Sequence, residues 1–96
     1  MSDTMEKALA AMQEKFPNGF AAGTAKFVID DAGALILDSA GVRISDDPGE
    51  VTLSADADTF QAILAGETNP TAAFMTGKLR VDGDMGLAMQ LGNAMV

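Results

Sequence analysis

Between Phe20 and Ser54 apolar residues recur at a spacing of two, and on either side of that stretch they recur at three and four. A period of two points alternate side chains to one face of a strand, whereas a spacing of three and four draws a stripe along a helix. The chain must therefore fold its middle into a sheet and its ends into helices. Ala25, Phe27 and Ile29 alternate with Thr24 and Lys26, and Leu35 and Leu37 follow the turn Asp30-Asp31-Ala32-Gly33. Val42 and Ile44 flank Arg43; Val51 and Leu53 flank Thr52 after the turn Asp46-Asp47-Pro48-Gly49. Four strands joined by short turns predict an antiparallel meander. A fifth strand is expected over Lys78 to Asp82, with Leu79 and Val81 inward. On a shared sheet Lys26, Arg43, Lys78 and Arg80 then point away from the apolar side, and a soluble sheet face is the simplest reading of them.

The helical segments are bounded by recognisable stops. Met5, Ala8, Leu9, Met12 and Phe16 form one stripe, Asp3 with Glu6 offers an N-cap pairing, and Pro17-Asn18-Gly19 ends the helix. Residues 56 to 65 form a second helix, capped by Ser54 or Asp56, edged by Phe60, Ile63 and Leu64, and stopped by Gly66. Asn69-Pro70 starts a short third helix that contains Phe74 and Met75 and ends at Gly77. Asp82-Gly83 turns the chain, and Asp84 caps a last helix.

That last helix is unusual. Met85, Leu87, Ala88, Met89, Leu91, Met95 and Val96 spread around most of its circumference, and only Gln90 and Asn93 are clearly polar. A helix apolar on most faces belongs in a buried place. Three readings follow: burial beneath the sheet, one side packed with the other lining a cavity, or an apolar patch shown to a partner. Four of the seven methionines follow residue 74. Methionine fits variable apolar shapes, though it also fills gaps in ordinary cores.

Composition removes several functional classes. One domain of 96 residues carries 14 acidic and 6 basic side chains, a net charge of −8. Such a chain repels nucleic-acid backbones and anionic membrane surfaces. It has no run of about 18 apolar residues, so no stable membrane insertion is expected. Acidic residues stand where a signal peptide needs positive charge, and with no cysteine present the expected location is the cytoplasm. Histidine, cysteine, tyrosine and tryptophan are all absent, leaving acid–base or nucleophilic chemistry to isolated carboxylates, lysines and hydroxyls. Most of the carboxylates fall in turns and caps. Asp30/Asp31, Asp46/Asp47 and Asp56/Asp58 do not follow the spacing of a calcium loop, and the glycines form no phosphate cradle. Neither an enzyme, a metal site nor a cofactor is expected.

The segment from Asn69 to Leu91 carries a longer pattern. An Asn69-Pro70 helix start leads through Phe74 to Gly77-Lys78-Leu79, then a strand, then Gly83-Asp84-Met85 and Leu87-Ala88-Met89 on a helix. It resembles the signature of the sterol carrier protein-2 family, the non-specific lipid-transfer proteins, in a single-domain form like those of bacteria. Upstream, Val51-Thr52-Leu53 followed by Asp58, Phe60, Leu64 and Gly66 is similar to the family too. The resemblance implies an α+β fold: a five-stranded, mainly antiparallel sheet with helices on one face and an apolar tunnel between the layers. It implies non-catalytic binding of a lipid, and transfer of it within cells, the ligand being a fatty acid, a fatty acyl-CoA, an isoprenoid or a sterol-like molecule. By position, Phe60, Ile63, Leu64, Phe74, Met75, Met85 and Met89 become the expected wall, with Gln90 as a polar contact near the mouth. The alternative is a docking module whose apolar C-terminal helix meets a second copy or a lipid-handling enzyme. The sequence lacks the further C-terminal stretch of many animal members, so the tunnel's end is expected to be more open, and it lacks their Ser-Lys-Leu ending, so a peroxisomal address is not expected.

Energetics limits the tunnel. A ligand pocket of about 300 Å³, left rigid and dry, would cost on the order of 7 kcal/mol at about 24 cal/mol per Å³. Total stability is only about 5–15 kcal/mol. The free state should therefore be collapsed by methionine rearrangement, partly hydrated, or filled by a lipid.

Overall fold

The computed structural model describes residues 3–95. The elements run α1 (Asp3–Lys15), β1 (Ala25–Ile29), β2 (Gly33–Asp38), β3 (Gly41–Ile44), β4 (Val51–Ala55), α2 (Ala57–Leu64), α3 (Pro70–Met75), β5 (Arg80–Gly83) and α4 (Met85–Met95). The expected elements are therefore present in the expected order. Asp3 lies in the first turn of α1, and the residues before it, where a cap would stand, fall outside the described residues, as does Val96.

The sheet is not a meander. Its order is β3-β2-β1-β4-β5, and β4 pairs with β1 in parallel while every other pair is antiparallel. Instead of turning back along β3, the chain crosses to the far side of β1. The three strand spacings between β3 and β4 are roughly 14 Å, within reach of a connection of six residues at about 3.3 Å each. The arrangement puts β4, with Val51, Leu53 and Ala55 all buried, inside the sheet and leaves the less buried β3 at its edge.

The crossing segment passes over the sheet face opposite the helices. Lys26 holds it there, its Nζ donating to the Asp46 carbonyl at 3.2 Å and pairing with the Asp46 carboxylate at 2.7 Å. Ile36 is the register partner of Lys26 and lies on this same face, yet it is fully buried. The face is thus not a simple solvated one. Arg43 pairs there with Asp38 at 2.8 Å, and Arg80 with Asp30 at 2.7 Å. Lys78 precedes β5 rather than lying on it.

The inner face carries Ala25, Phe27 and Ile29 from β1, Leu35 and Leu37 from β2, and Val51, Leu53 and Ala55 from β4, all buried. Helix α1 covers the β2–β3 half of this face, α4 covers the β4–β5 half, and α2 packs beside α1. Met5, Met12, Phe16, Phe60, Ile63, Leu87, Leu91 and Met95 complete one continuous core.

The caps follow from residue chemistry. Asp56 accepts the Thr59 N–H at 2.7 Å, Asn69 that of Thr71 at 2.8 Å and Asp84 that of Leu87 at 3.0 Å. Each satisfies a donor that the first helical turn leaves unpaired. Gly83 has φ +102°, and a Cβ there would lie 2.5 Å from the Glu50 carbonyl oxygen. Only glycine lets β5 turn so closely past the start of β4.

Candidate functional site

The space between the helices and the inner sheet face is apolar throughout: among the described residues no polar or charged residue is buried. The interior is also closed. Where α1, α2 and the end of β1 meet, a cavity of about 20 Å³ remains, lined by Thr4, Lys7, Ala8, Ala11, Ile29, Ala57, Phe60, Gln61 and Leu64. That is room for a water molecule, more than tenfold short of a typical ligand pocket. Ala11, Gln61 and Leu64 also border a surface groove of about 360 Å³ between α1 and α2, with Glu14, Lys15 and Ala65 on its rim. Neither of these two spaces is an enclosed apolar tunnel of ligand size.

The seven expected wall residues, and Gln90 expected at the mouth, fall into two groups. Phe60 and Ile63 are buried and Leu64 is half-buried, all on α2 at the inner layer. Phe60 meets Phe27 edge-to-face with ring centres 5.8 Å apart, which ties α2 to the middle of the sheet. The other group lies outward: Phe74 is 43% exposed, Met75 79%, Met85 49% and Met89 70%, and Gln90 is exposed too. These side chains belong to α3 and α4, which pack against each other.

Helix α4 explains its own composition. Leu87, Leu91 and Met95, spaced by four, are buried against the sheet, while Met85 and Met89 face solvent. Full burial beneath the sheet is excluded: the small domain covers one side of this helix and leaves apolar side chains on the other. Residues not anticipated at the cavity are Thr4, Lys7, Ala8, Ala11, Ile29, Ala57 and Gln61. The available signal was the pair of small residues Ala8 and Ala11 on α1, which leave room where neighbouring helices approach.

No charged side chain is buried among the described residues. The Arg43 guanidinium holds the Asp38 carboxyl below the usual carboxylate range, and the Lys26 ammonium does the same for Asp46. Hydrogen bonds from Thr59 lower Asp56. Asp38 ends β2, Asp46 lies between β3 and β4 and Asp56 caps α2, and no cluster of three or more acidic side chains able to hold a metal ion occurs among the described residues.

An α+β domain with helices on one face of a mixed five-stranded sheet, closed over an apolar and uncharged interior, is a binding scaffold in form. The chain belongs to the SCP-2 sterol transfer family, whose model matches residues 6–96. It is 33% identical over 95 residues to bovine (Bos taurus) hydroxysteroid dehydrogenase-like protein 2, covering 99% of this chain and 22% of that protein. The chain spans about a tenth to about a fifth of the length of such relatives. Two mosquito structures share the fold. Sterol carrier protein 2 like 2 from Aedes aegypti superposes with a TM-score of 0.77 at 22% identity, over 94% of each chain. Sterol carrier protein-2 from the same species, solved with the C16 fatty acid palmitate, gives 0.76 at 24% identity over 100% of this chain and 97% of that one. No helix of the described residues is long and apolar enough to cross a membrane.

Proposed function

We propose that this domain binds a long-chain lipid between its helical layer and its sheet and carries out no chemistry on it. The observation that carries the reading is the interior itself: an apolar layer with no buried polar or charged residue among those described. Such a space recognises a ligand by shape and displaced water, not by hydrogen bonds. The palmitate complex of the mosquito relative with this fold supports an acyl chain as one ligand class. Fatty acyl-CoA, isoprenoid and sterol-like molecules share the same requirement and compete for the same layer.

Uptake must open the closed state. The α1–α2 groove leads to the small cavity through Ala11, Gln61 and Leu64. Separating the two helices there admits an alkyl chain toward Ile29 and Phe60. Met5, Met12 and Met95 of the core rearrange around it because thioether side chains change shape at little cost. Phe60, Ile63 and Leu64 form the inner contacts; Phe74, Met75, Met85, Met89 and Gln90 join them where the ligand extends beneath α3 and α4.

Native mass spectrometry of gently purified protein, followed by extraction and titration with palmitate, tests the reading. One lipid per chain is the expected result. Ala11→Trp, which fills groove and cavity together, should lower palmitate affinity about tenfold or more while far-ultraviolet circular dichroism stays unchanged. Bare protein that also refuses palmitate, isoprenoids and sterols would overturn the proposal.

A further inference from the structure

We propose that Met75, Met85 and Met89, on α3 and α4, are a site of reversible oxidative modification, where a hydroperoxide converts exposed thioethers to sulfoxides and leaves the core methionines untouched. The easily oxidised side chains of this sequence narrow to one kind: cysteine, histidine, tyrosine and tryptophan are all absent, and seven methionines are present. The structure divides the described methionines sharply. Met75, Met85 and Met89 are exposed, whereas Met5, Met12 and Met95 retain at most 4% of their surface and belong to the core. On α4 a single helix makes both environments. Met85 and Met89 are four residues apart and face outward, while Met95 continues the buried line of Leu87 and Leu91.

In the reaction the thioether sulfur attacks one peroxide oxygen, the O–O bond breaks and a sulfoxide forms. The sulfur gives up two electrons and the peroxide takes them. The proton of the transferred oxygen leaves with the other oxygen as water, or as an alcohol when the oxidant is an organic hydroperoxide. Each event needs the peroxide at the sulfur, so susceptibility follows exposure. Position also decides what the product does to the molecule. A sulfoxide at Met5, Met12 or Met95 puts a strong acceptor into an interior with no buried polar residue among those described, which disrupts a core. At Met75, Met85 or Met89 the new oxygen is hydrated where it stands. It still changes this face, because α3 and α4 contain no charged residue and much of their exposed apolar surface is these three side chains. Methionine sulfoxide reductases restore the thioether. The effect on a ligand rests on the lipid-binding reading: the three side chains are among the proposed contacts beneath α3 and α4, and a polar oxygen beside an alkyl chain weakens its binding.

The test treats the full chain with dilute hydrogen peroxide at neutral pH, follows each methionine over time by peptide mapping, and titrates palmitate before and after. Met75, Met85 and Met89 should oxidise about tenfold faster or more than Met5, Met12 and Met95, with circular dichroism unchanged once the three outer sites are complete. Palmitate affinity should then fall about threefold or more. The two methionine sulfoxide reductases with a thiol reductant should return both the mass and the affinity. In Met75→Leu/Met85→Leu/Met89→Leu, peroxide should leave palmitate affinity at whatever value that variant shows beforehand. Equal rates at outer and core methionines overturn the proposal, as do loss of fold on outer oxidation alone and sulfoxides that the reductases leave in place. Palmitate affinity that survives outer oxidation in wild type, or falls equally in the leucine variant, overturns the stated effect on the ligand. Unoxidised protein that takes up no palmitate counts instead against the lipid-binding reading, and the map of oxidised sites with its reversal then decides the modification by itself.

Discussion

Gly83 and Asn69 show how much a single side chain, or its absence, decides here. Gly83 adopts φ +102° with its missing Cβ directed at the Glu50 backbone. Ala at this position has to shift the β4–β5 edge as well as occupy a backbone region that side chains avoid. Gly83→Ala should therefore cost about 1–3 kcal/mol in urea denaturation, and an unchanged midpoint would show that the edge relaxes freely. Asn69 holds the Thr71 N–H at 2.8 Å, and its neighbour Pro70 is buried at the first helical position. Asn69→Ala should lose about 1 kcal/mol, while Asn69→Asp should be close to neutral. Both residues were legible in the sequence, as a turn glycine and a helix cap, because their roles are set by neighbours a few positions away.

Among the elements, α4 separates what periodicity shows from what packing decides. Its ring of apolar residues left open whether the helix is buried, lines a cavity or meets a partner. The structure buries the Leu87, Leu91 and Met95 line and leaves Met85 and Met89 outside. Leu91→Ala should then cost about 2–5 kcal/mol, and Met89→Ala should stay within about 0.5 kcal/mol, both read from chemical denaturation. Equal costs would mean that the exposed side is packed in solution, by a ligand or a second copy. Strand β4 makes the same distinction. Its alternation identified it as a strand, but local turn economy predicted a place beside β3. The observed parallel pairing with β1 depends on a six-residue segment crossing the opposite face under the hold of Lys26. Residues 20 positions apart make that contact, and no local pattern announces it.

For the molecule as a whole, acid exposes the polar framework. Asp38, Asp46 and Asp56 all have lowered pKa values in the folded state, from Arg43, Lys26 and Thr59 respectively. A lowered carboxyl pKa adds stability above the unfolded value of about 3.9, and that contribution is lost as pH falls through the folded value. Protonation also relieves the self-repulsion of a chain at −8, which acts in the opposite direction. Comparing wild type with Asp38→Asn/Asp46→Asn separates the two. The Tm difference should be constant from pH 7 to about 5 and shrink below about pH 4, and added salt should reduce it because these pairs are exposed. A difference that grows on acidification would show that the pairs do not stabilise the fold.

Sequence by itself determined the kinds of elements, their order, their caps and the apolar face of each strand, because hydrophobic period and turn chemistry act over a few residues. It also carried the family resemblance, concentrated between Asn69 and Leu91, and through it the fold class. Tertiary structure alone decided the position of β4 and the burial of Ile36 on the face opposite the helices. It also divided the expected wall into a buried group on α2 and an exposed group on α3 and α4, and it left a space of about 20 Å³ where α1, α2 and the end of β1 meet. Those outcomes depend on how much surface a small domain can cover and on close packing between distant segments, which residue spacing along the chain does not encode.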